Sequence, residues 1–269
     1  MIESEPTLAV ARPISRRTLV RGMAISAGTA ALPKSARAMS GSKIKVIAFD
    51  GFVIFDPRPV TALAVHHFPE KGAALAAAWS TKLFGYSWLA TAAGHYRDFP
   101  ALADAALRYT AQSLELTLSP DVRRDLLGAY QRLEVWSDVA PALEELRRAG
   151  IRLVFLSNLS EPMLVANMRQ AGIARFFDPP LSTDRVQKFK PAPAAYNMAV
   201  EAYGLPRDEI GFAAFGGWDA LGATWFGYRT AWINRLGVTP ETLDPPPLIS
   251  SRGIEGVLAL AGLTSTARP

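Results

Sequence analysis

Apolar and polar positions along this chain fall in blocks, and the blocks change period. Residues 43–56 read KIKVIAFDGFVIFD. Ile44, Val46, Ile47 and Phe49 form an apolar, β-branched run that stops at Asp50, and apolar residues resume after Gly51. A short apolar run bounded by a turn predicts a buried strand, most often of a parallel sheet. Residues 57–137 then read as helical, with no strand pattern. Within them, 71–92 is rich in Ala and Leu and carries Trp79, Phe84, Tyr86 and Trp88, and 100–113 is a second helical stretch. Ser119-Pro120-Asp121 is an N-cap with Pro at the first helical position, opening a third helix to about residue 133.

Strands and helices alternate from there on. Helices are predicted over 139–149, 161–171 and 191–203, stopped by Gly150, Gly172 and Gly204. Strands are predicted over 151–156, 209–215 and 229–233, with a short helix over 220–226. The Pro-rich segment 244–247 reads as a surface turn before a last helix near 254–261. Repeated β–α units predict an α/β fold, a parallel sheet with helices on both faces. Residues 43–56 and 138–262 form its core. Residues 57–137 form an all-helical cap, inserted after the first strand and covering its tip.

The first 38 residues do not follow this plan. Ser15-Arg16-Arg17-Thr18-Leu19-Val20 is a twin-arginine pattern, followed by a weakly apolar stretch of small residues and an A-x-A-like cut at Ala36-Arg37-Ala38. Charged segment, apolar segment and small-residue cut are the order of an export signal. The twin arginine predicts the bacterial Tat route, with the Tat translocase as partner during export and a periplasmic or secreted product. The apolar stretch is too short and too rich in Gly and Ala to serve as a stable membrane anchor.

Removing that leader changes the charge. The chain carries 29 basic and 24 acidic residues, and the leader holds six and two of them. The remainder has 23 against 22, near neutral, so the basic whole-chain balance is no nucleic-acid footprint. There is no cysteine, which excludes disulfides, thiol catalysis and Cys-ligated metals.

Four features fall at strand ends or helix entries: Asp50, Ser157-Asn158, Lys190 and Asp219. In a parallel sheet such tips converge on one edge, where open α/β sheets bind ligands. The bland reading of Asp50 alone is the cap of a turn. Combined with AAWSTKLFGYSWL (77–89), VQKFKPAPAAY (186–196) and YRTAWINR (228–235), the set resembles the haloacid dehalogenase superfamily. Within it, the set resembles the type II L-2-haloacid dehalogenases, over about residues 43–262.

That resemblance implies a Rossmann-like core with a helical cap, and a mechanism without cofactor or metal. Asp50 matches the nucleophile that displaces halide to form an ester, which water then hydrolyses. Lys190 matches the lysine that keeps the nucleophile ionised, and Asp219 the acid that orients Lys190 and the water. Ser157 and Asn158 match the pair holding the carboxylate of a small-molecule substrate. Phe99 and Tyr196 match positions lining the pocket. The family often dimerises, and the aromatic stretch at Trp79 and Trp88 could serve a homodimer or, equally, an internal core.

Three departures stand beside the match. The loop after Asp50 is one residue shorter than the usual DxYGTLFD. The cap arginine that meets halide and substrate falls on Ser80, which removes a permanent cation. The Ser and Asn of the last motif, SxNxxD, fall on Ala214 and Gly216. Phe52 stands where phosphatase members carry a second Asp, which disfavours magnesium-dependent phosphatase chemistry. The expectation is therefore a 2-haloacid hydrolase, with an altered substrate as one variant. The alternative is a catalytically impaired binding protein of the same fold, and a phosphatase ranks last.

Overall fold

The structure, a computed structural model, describes residues 43–263. The leader and its cut site lie outside the described residues. Strand β1 (Val46–Phe49) is wholly buried, and its side chains point alternately into two apolar clusters. Ile47 and Phe49 enter one, Val46 and Ala48 the other. A strand covered on both faces has no polar alternation, so its sequence reads as a continuous apolar run.

After β1 come the one-turn helix α1 (Gly51–Ile54) and the two-residue strand β2 (Phe55–Asp56). The chain then leaves the sheet for four helices: α2 (Arg58–His67), α3 (Gly72–Ala93), α4 (Phe99–Ser113) and α5 (Pro120–Ala129). It returns through β3 (Glu134–Val135), which pairs antiparallel with β2, Phe55 opposite Val135 and Asp56 opposite Glu134. The expectation of a strand-free block over 57–137 is corrected here. Two residues carry no visible period, and their pairing partner lies on the far side of four helices. Helix α5 also stops at Ala129 rather than near 133. The buried Asn167 donates to the Tyr130 carbonyl (2.9 Å) and accepts from the Leu133 amide (2.9 Å), turning the chain toward β3.

The rest alternates: α6 (Val139–Arg148), β4 (Arg152–Ser157), α7 (Glu161–Gln170), β5 (Leu181–Ser182), α8 (Pro193–Tyr203), β6 (Ile210–Ala214), α9 (Gly217–Phe226), β7 (Arg229–Ile233), β8 (Ile249–Ser251) and α10 (Glu255–Leu260). The parallel sheet runs β5-β4-β1-β6-β7-β8. Its two edge strands, β5 and β8, have only two and three residues and leave no run in the sequence. Helix α8 begins at Pro193, not Pro191, because residues 189–192 close a turn in which the Ala192 amide donates to the Phe189 carbonyl.

The placement of β1 decides where the site lies. β4 pairs on one side of it and β6 on the other, so the strand order reverses there and opens a crevice beyond the carboxyl ends. Phe49 is level with Phe155 and with Ala213. Residues just after these three therefore share one edge.

The helical block packs over that edge. The Trp79 and Phe99 rings both meet Tyr130 edge-on at 5.4 Å, and Trp79 Nε1 donates to the Ala103 carbonyl. Phe84 and Trp88 meet Trp218 of the core at 5.2 and 5.4 Å. Most of the aromatic stretch thus packs within this chain, although Trp88 is also exposed. The end of α3 ties down the loop before α8, where Thr91 Oγ1 accepts from the Phe189 amide and its carbonyl from Lys188 Nζ. Among the described residues no helix is long and apolar enough to cross a membrane.

Candidate active site

Asp50 follows β1 and is the N-cap of α1. Its Oδ2 accepts from the Phe52 amide at 3.1 Å, so the bland reading is correct as far as it goes. Its Oδ1, however, accepts from Lys190 Nζ at 2.8 Å. One carboxylate oxygen fixes the turn and the other meets a cation. Gly51 permits this close approach, since a Cβ there would lie 3.0 Å from Ser157 Oγ and 3.1 Å from Leu159 Cδ1.

Lys190 is fully buried and donates a second bond to Asp219 Oδ2, at 2.6 Å. Burial alone would push the Lys190 ammonium down. The Asp219 and Asp50 carboxylates more than offset that and hold it above its ordinary value. Asp219, in the first turn of α9, is itself buried. Desolvation raises its pKa to about 6, against the pull of Lys190, and the negative charge of Asp50 raises it further. Tyr196 Oη donates to Asp219 Oδ1 at 2.7 Å. Tyr196 is therefore not a wall of the cavity but stands behind Asp219, and burial keeps its phenol protonated. Asp50, Lys190, Asp219 and Tyr196 form one buried file.

Ser157 and Asn158 cap β4 beside that file. Ser157 Oγ accepts from the Leu159 amide (3.1 Å), and Asn158 Oδ1 accepts from the Lys190 amide (2.9 Å). The second bond sets the backbone that carries the lysine and leaves the Asn158 Nδ2 donors for another partner. A cavity of about 340 Å³ opens between core and cap, lined by Asp50, Ser157, Asn158 and Asp219 from below. Phe52, Ser80, Phe84, Phe99, Phe215 and Trp218 also line it. Its size falls in the range of small-molecule pockets, roughly 300–1,000 Å³. Lys82, near Ser80, points elsewhere, its Nζ 3.9 Å over the Tyr109 ring.

A buried carboxylate–ammonium–carboxylate file thus lies at the switch point of a parallel sheet, beneath the helical block. The model of haloacid dehalogenase-like hydrolases matches residues 33–227. The chain belongs to the haloacid dehalogenase-like hydrolase family. It is 39% identical over 205 residues to an (S)-2-haloacid dehalogenase of Pseudomonas sp. strain YL, covering 76% of this chain and 88% of that one. It is 34% identical over 206 residues to haloacetate dehalogenase H-2 of Moraxella sp. strain B, covering 76% and 92%. Among solved structures, an L-2-haloacid dehalogenase superposes with a TM-score of 0.80 at 37% identity, over 82% of this chain and all of that one. The L-2-haloacid dehalogenase of Xanthobacter autotrophicus gives 0.73 at 29% identity, over 80% and 98%.

Within this hydrolase family, the donor set here does not fit the magnesium ion of phosphatase members. The Phe52 ring, set against Tyr130 and Phe215, offers no oxygen. The two remaining carboxylates already share the Lys190 ammonium. Mg²⁺ demands near-octahedral oxygen ligation, and among the described residues no group of three or more His, Cys, Asp or Glu could hold a metal.

Two features of the site are absent from the sequence reading. Gly222 lets α9 lie against Tyr196, since a Cβ there would come within 2.6 Å of both Tyr196 Oη and Pro191 Cβ. Arg58 lines the cavity as well. Its signal was the Asp56-Pro57-Arg58 run at the cap junction, which only the pairing of β2 with β3 turns toward the site.

Proposed function

We propose that this hydrolase acts on the carbon–halide bond of small 2-haloacids, giving the 2-hydroxyacid and halide through an ester on Asp50. The Asp50 carboxylate attacks C2, and the C–O bond forms as the carbon–halogen bond breaks, the halide leaving with the electron pair. Water then adds to the ester carbonyl and loses a proton. The hydroxyacid oxygen leaves with a proton, and the Asp50 carboxylate is restored. One haloacid and one water thus give one hydroxyacid, one halide and one proton.

The observation that carries this reading is Lys190 Nζ, held 2.8 Å from Asp50 and 2.6 Å from Asp219 in a buried site. A fixed ammonium there orients the nucleophile and faces charge that develops on the carbonyl during hydrolysis. Asp219 holds that ammonium in place and is assigned the hydrolytic water's proton. Ser157 and Asn158 offer donors to the substrate carboxylate. The names of the relatives, which include (S)-2-haloacid and haloacetate dehalogenases, support the same substrate class. So does the Xanthobacter neighbour solved with chloropropionic acid covalently bound, at a TM-score of 0.71.

A second reading, ligand binding without turnover, is favoured by departures in the cavity wall at Ser80 and Gly216 and in the core behind it at Ala214. Ser80, Ala214 and Gly216 remove a cation and two polar groups from the family pattern, and Ala214 is fully buried. The deciding experiment is halide release from both enantiomers of 2-chloropropionate by the wild type and by Asp50→Asn. Metal-independent release, cut more than about 1,000-fold in the variant, is expected for loss of a covalent nucleophile. Saturable binding with no release by the wild type would leave the second reading. We also infer export by the Tat route from the twin-arginine leader. The same assay on periplasmic and cytoplasmic fractions of a bacterial host tests it, and activity confined to the cytoplasm would end that inference.

A further inference from the structure

The cavity has an electrostatic problem that its core residues do not solve. Of the side chains lining it, only Asp50, Asp219 and Arg58 carry a full charge. Lys190 is spent on its two carboxylates and is fully buried. A haloacid brings a further negative charge, and an anion entering next to two carboxylates is opposed by like charge. Ser80, where the family pattern has its cap arginine, has a hydroxyl and no charge. Arg58 is the only cation left to meet the substrate among the residues lining the cavity.

Its geometry suits that task. Arg58 opens α2, directly after the junction strand β2. Nε donates to Asp56 Oδ1 and Oδ2 (3.0 and 2.9 Å), and Nη2 to Oδ2 (2.6 Å). The guanidinium also lies 4.6 Å over the Trp136 ring, and Trp136 Nε1 donates to the carbonyl of Phe52, two residues from Asp50. The planar group is therefore oriented from both sides of the core–cap junction. A guanidinium has two edges that accept a carboxylate fork. Asp56 takes the Nε/Nη2 edge, which leaves the Nη1/Nη2 edge for a second carboxylate. The Arg58 side chain is 65% exposed, so an anion in the cavity can reach it.

We propose that Arg58 is the anchor for the substrate carboxylate, supplying from α2 the charge that Ser80 does not supply from α3. This rests on the haloacid reading of the site. The anchor acts on a charge that the substrate carries throughout the reaction, so its effect lies in binding rather than in the chemical step.

The test is steady-state halide release by the full chain, with four variants beside the wild type. Arg58→Gln is expected to raise KM for 2-bromopropionate roughly 10- to 100-fold, the loss of a charge-assisted hydrogen bond, with kcat changed less than about threefold. Arg58→Lys should recover part of the loss, and Ser80→Arg in the Arg58→Gln background should recover more. Asp56→Asn keeps the cation but loosens its pairing, so its KM should rise far less than that of Arg58→Gln. Equal defects in Asp56→Asn and Arg58→Gln would show a purely structural role and overturn the proposal. So would an unchanged KM in Arg58→Gln while Asp50→Asn is inactive, an outcome that leaves the haloacid reading intact. If the wild type releases no halide, the haloacid reading falls separately, and calorimetric titration with 2-chloropropionate decides for Arg58. Binding lost in Arg58→Gln supports the anchor, whereas equal binding or none in the wild type overturns it.

Discussion

The floor and the roof of the cavity are built on opposite plans. On the floor, Asp50, Lys190, Asp219 and Tyr196 are almost wholly buried, and each is held by at least one bond to another member of the file. These residues come from the end of β1, the turn before α8 and α8 itself, and the first turn of α9, so the geometry is fixed by the packing of these elements at the sheet edge rather than by any one loop. On the roof, Ser80, Leu83 and Phe84 of α3 present one hydroxyl and apolar surface, with no charged group. A floor whose charged groups are all paired with one another can hold one arrangement and one chemistry. A roof of apolar contacts is tolerant of shape. Chemistry is assigned to the core and substrate choice to the cap.

The sharpest way to break that division is to remove the cation from the floor. In Lys190→Met, Asp50 and Asp219 face each other across a buried space with no counter-charge. Removing one partner of a buried ion pair costs about 3–5 kcal/mol. Halide release should fall by more than about 1,000-fold, because the cation that orients the nucleophile and faces the developing charge is gone. The loss of stability should also depend on pH. The Asp219 pKa is raised by burial to about 6 in the folded chain, above its unfolded value, so its stabilising share is complete at low pH and is lost as pH rises through 6. Without Lys190 that pKa rises further, and the variant should regain stability at about pH 5 relative to about pH 8. Urea unfolding at both values checks it, and an equal loss at both would mean that charge was not the cause.

A smaller effect is expected one bond further back. Tyr196→Phe removes the phenol that donates to Asp219 Oδ1, leaving a buried acceptor with one partner fewer at a cost of about 1–3 kcal/mol. That hydrogen bond lowers the Asp219 pKa, so its loss raises it. In the wild type, halide release should decline as pH falls through about 6, where Asp219 takes up a proton and releases its hold on Lys190. In Tyr196→Phe that acid limb should move to higher pH, while the rate at about pH 9 changes little. A profile of kcat/KM between about pH 5 and 9 measures both. An unmoved limb would detach Tyr196 from the file.

Much of the floor was legible in the sequence, for a physical reason. A strand buried on both faces has to be a continuous apolar run, and the polar residue that ends it has to lie at the sheet edge. Asp50 and Ser157 announce themselves that way, Asp219 follows β6 by one short turn, and the helix starts and stops come from caps and glycines. What stayed hidden depends on pairing between distant segments. β3 is two residues long and exists only because β2 is there to pair with it. Tyr196 appeared as a wall of the pocket because a helical tyrosine near a site gives no sign of which side of a carboxylate it occupies. Arg58 was invisible because its place in the cavity follows from its pair with Asp56 and its stack on Trp136, from the two strands of the junction. Residue types mark a floor built from strand ends, whereas a roof built from packing has to be seen.

The smallest predicted effect tests the roof. Phe84 lines the cavity from α3 and packs against Trp218 at 5.2 Å, half-buried. Phe84→Ala enlarges the space above the floor without touching a polar group of the file. Because the ring is only partly covered, the stability cost should be roughly 1 kcal/mol, well below that of a fully buried phenylalanine. The rate on 2-chloropropionate should change less than about threefold. A 2-haloacid with a longer apolar chain should gain about 3- to 10-fold in kcat/KM relative to 2-chloropropionate, the scale of a methylene or two in an apolar pocket. Competition between 2-chloropropionate and 2-chlorohexanoate in one reaction reads the ratio directly. Should Phe84→Ala instead depress turnover of the small acid as severely as Lys190→Met, the cap would be part of the chemical machinery, and the separation of floor from roof would be wrong.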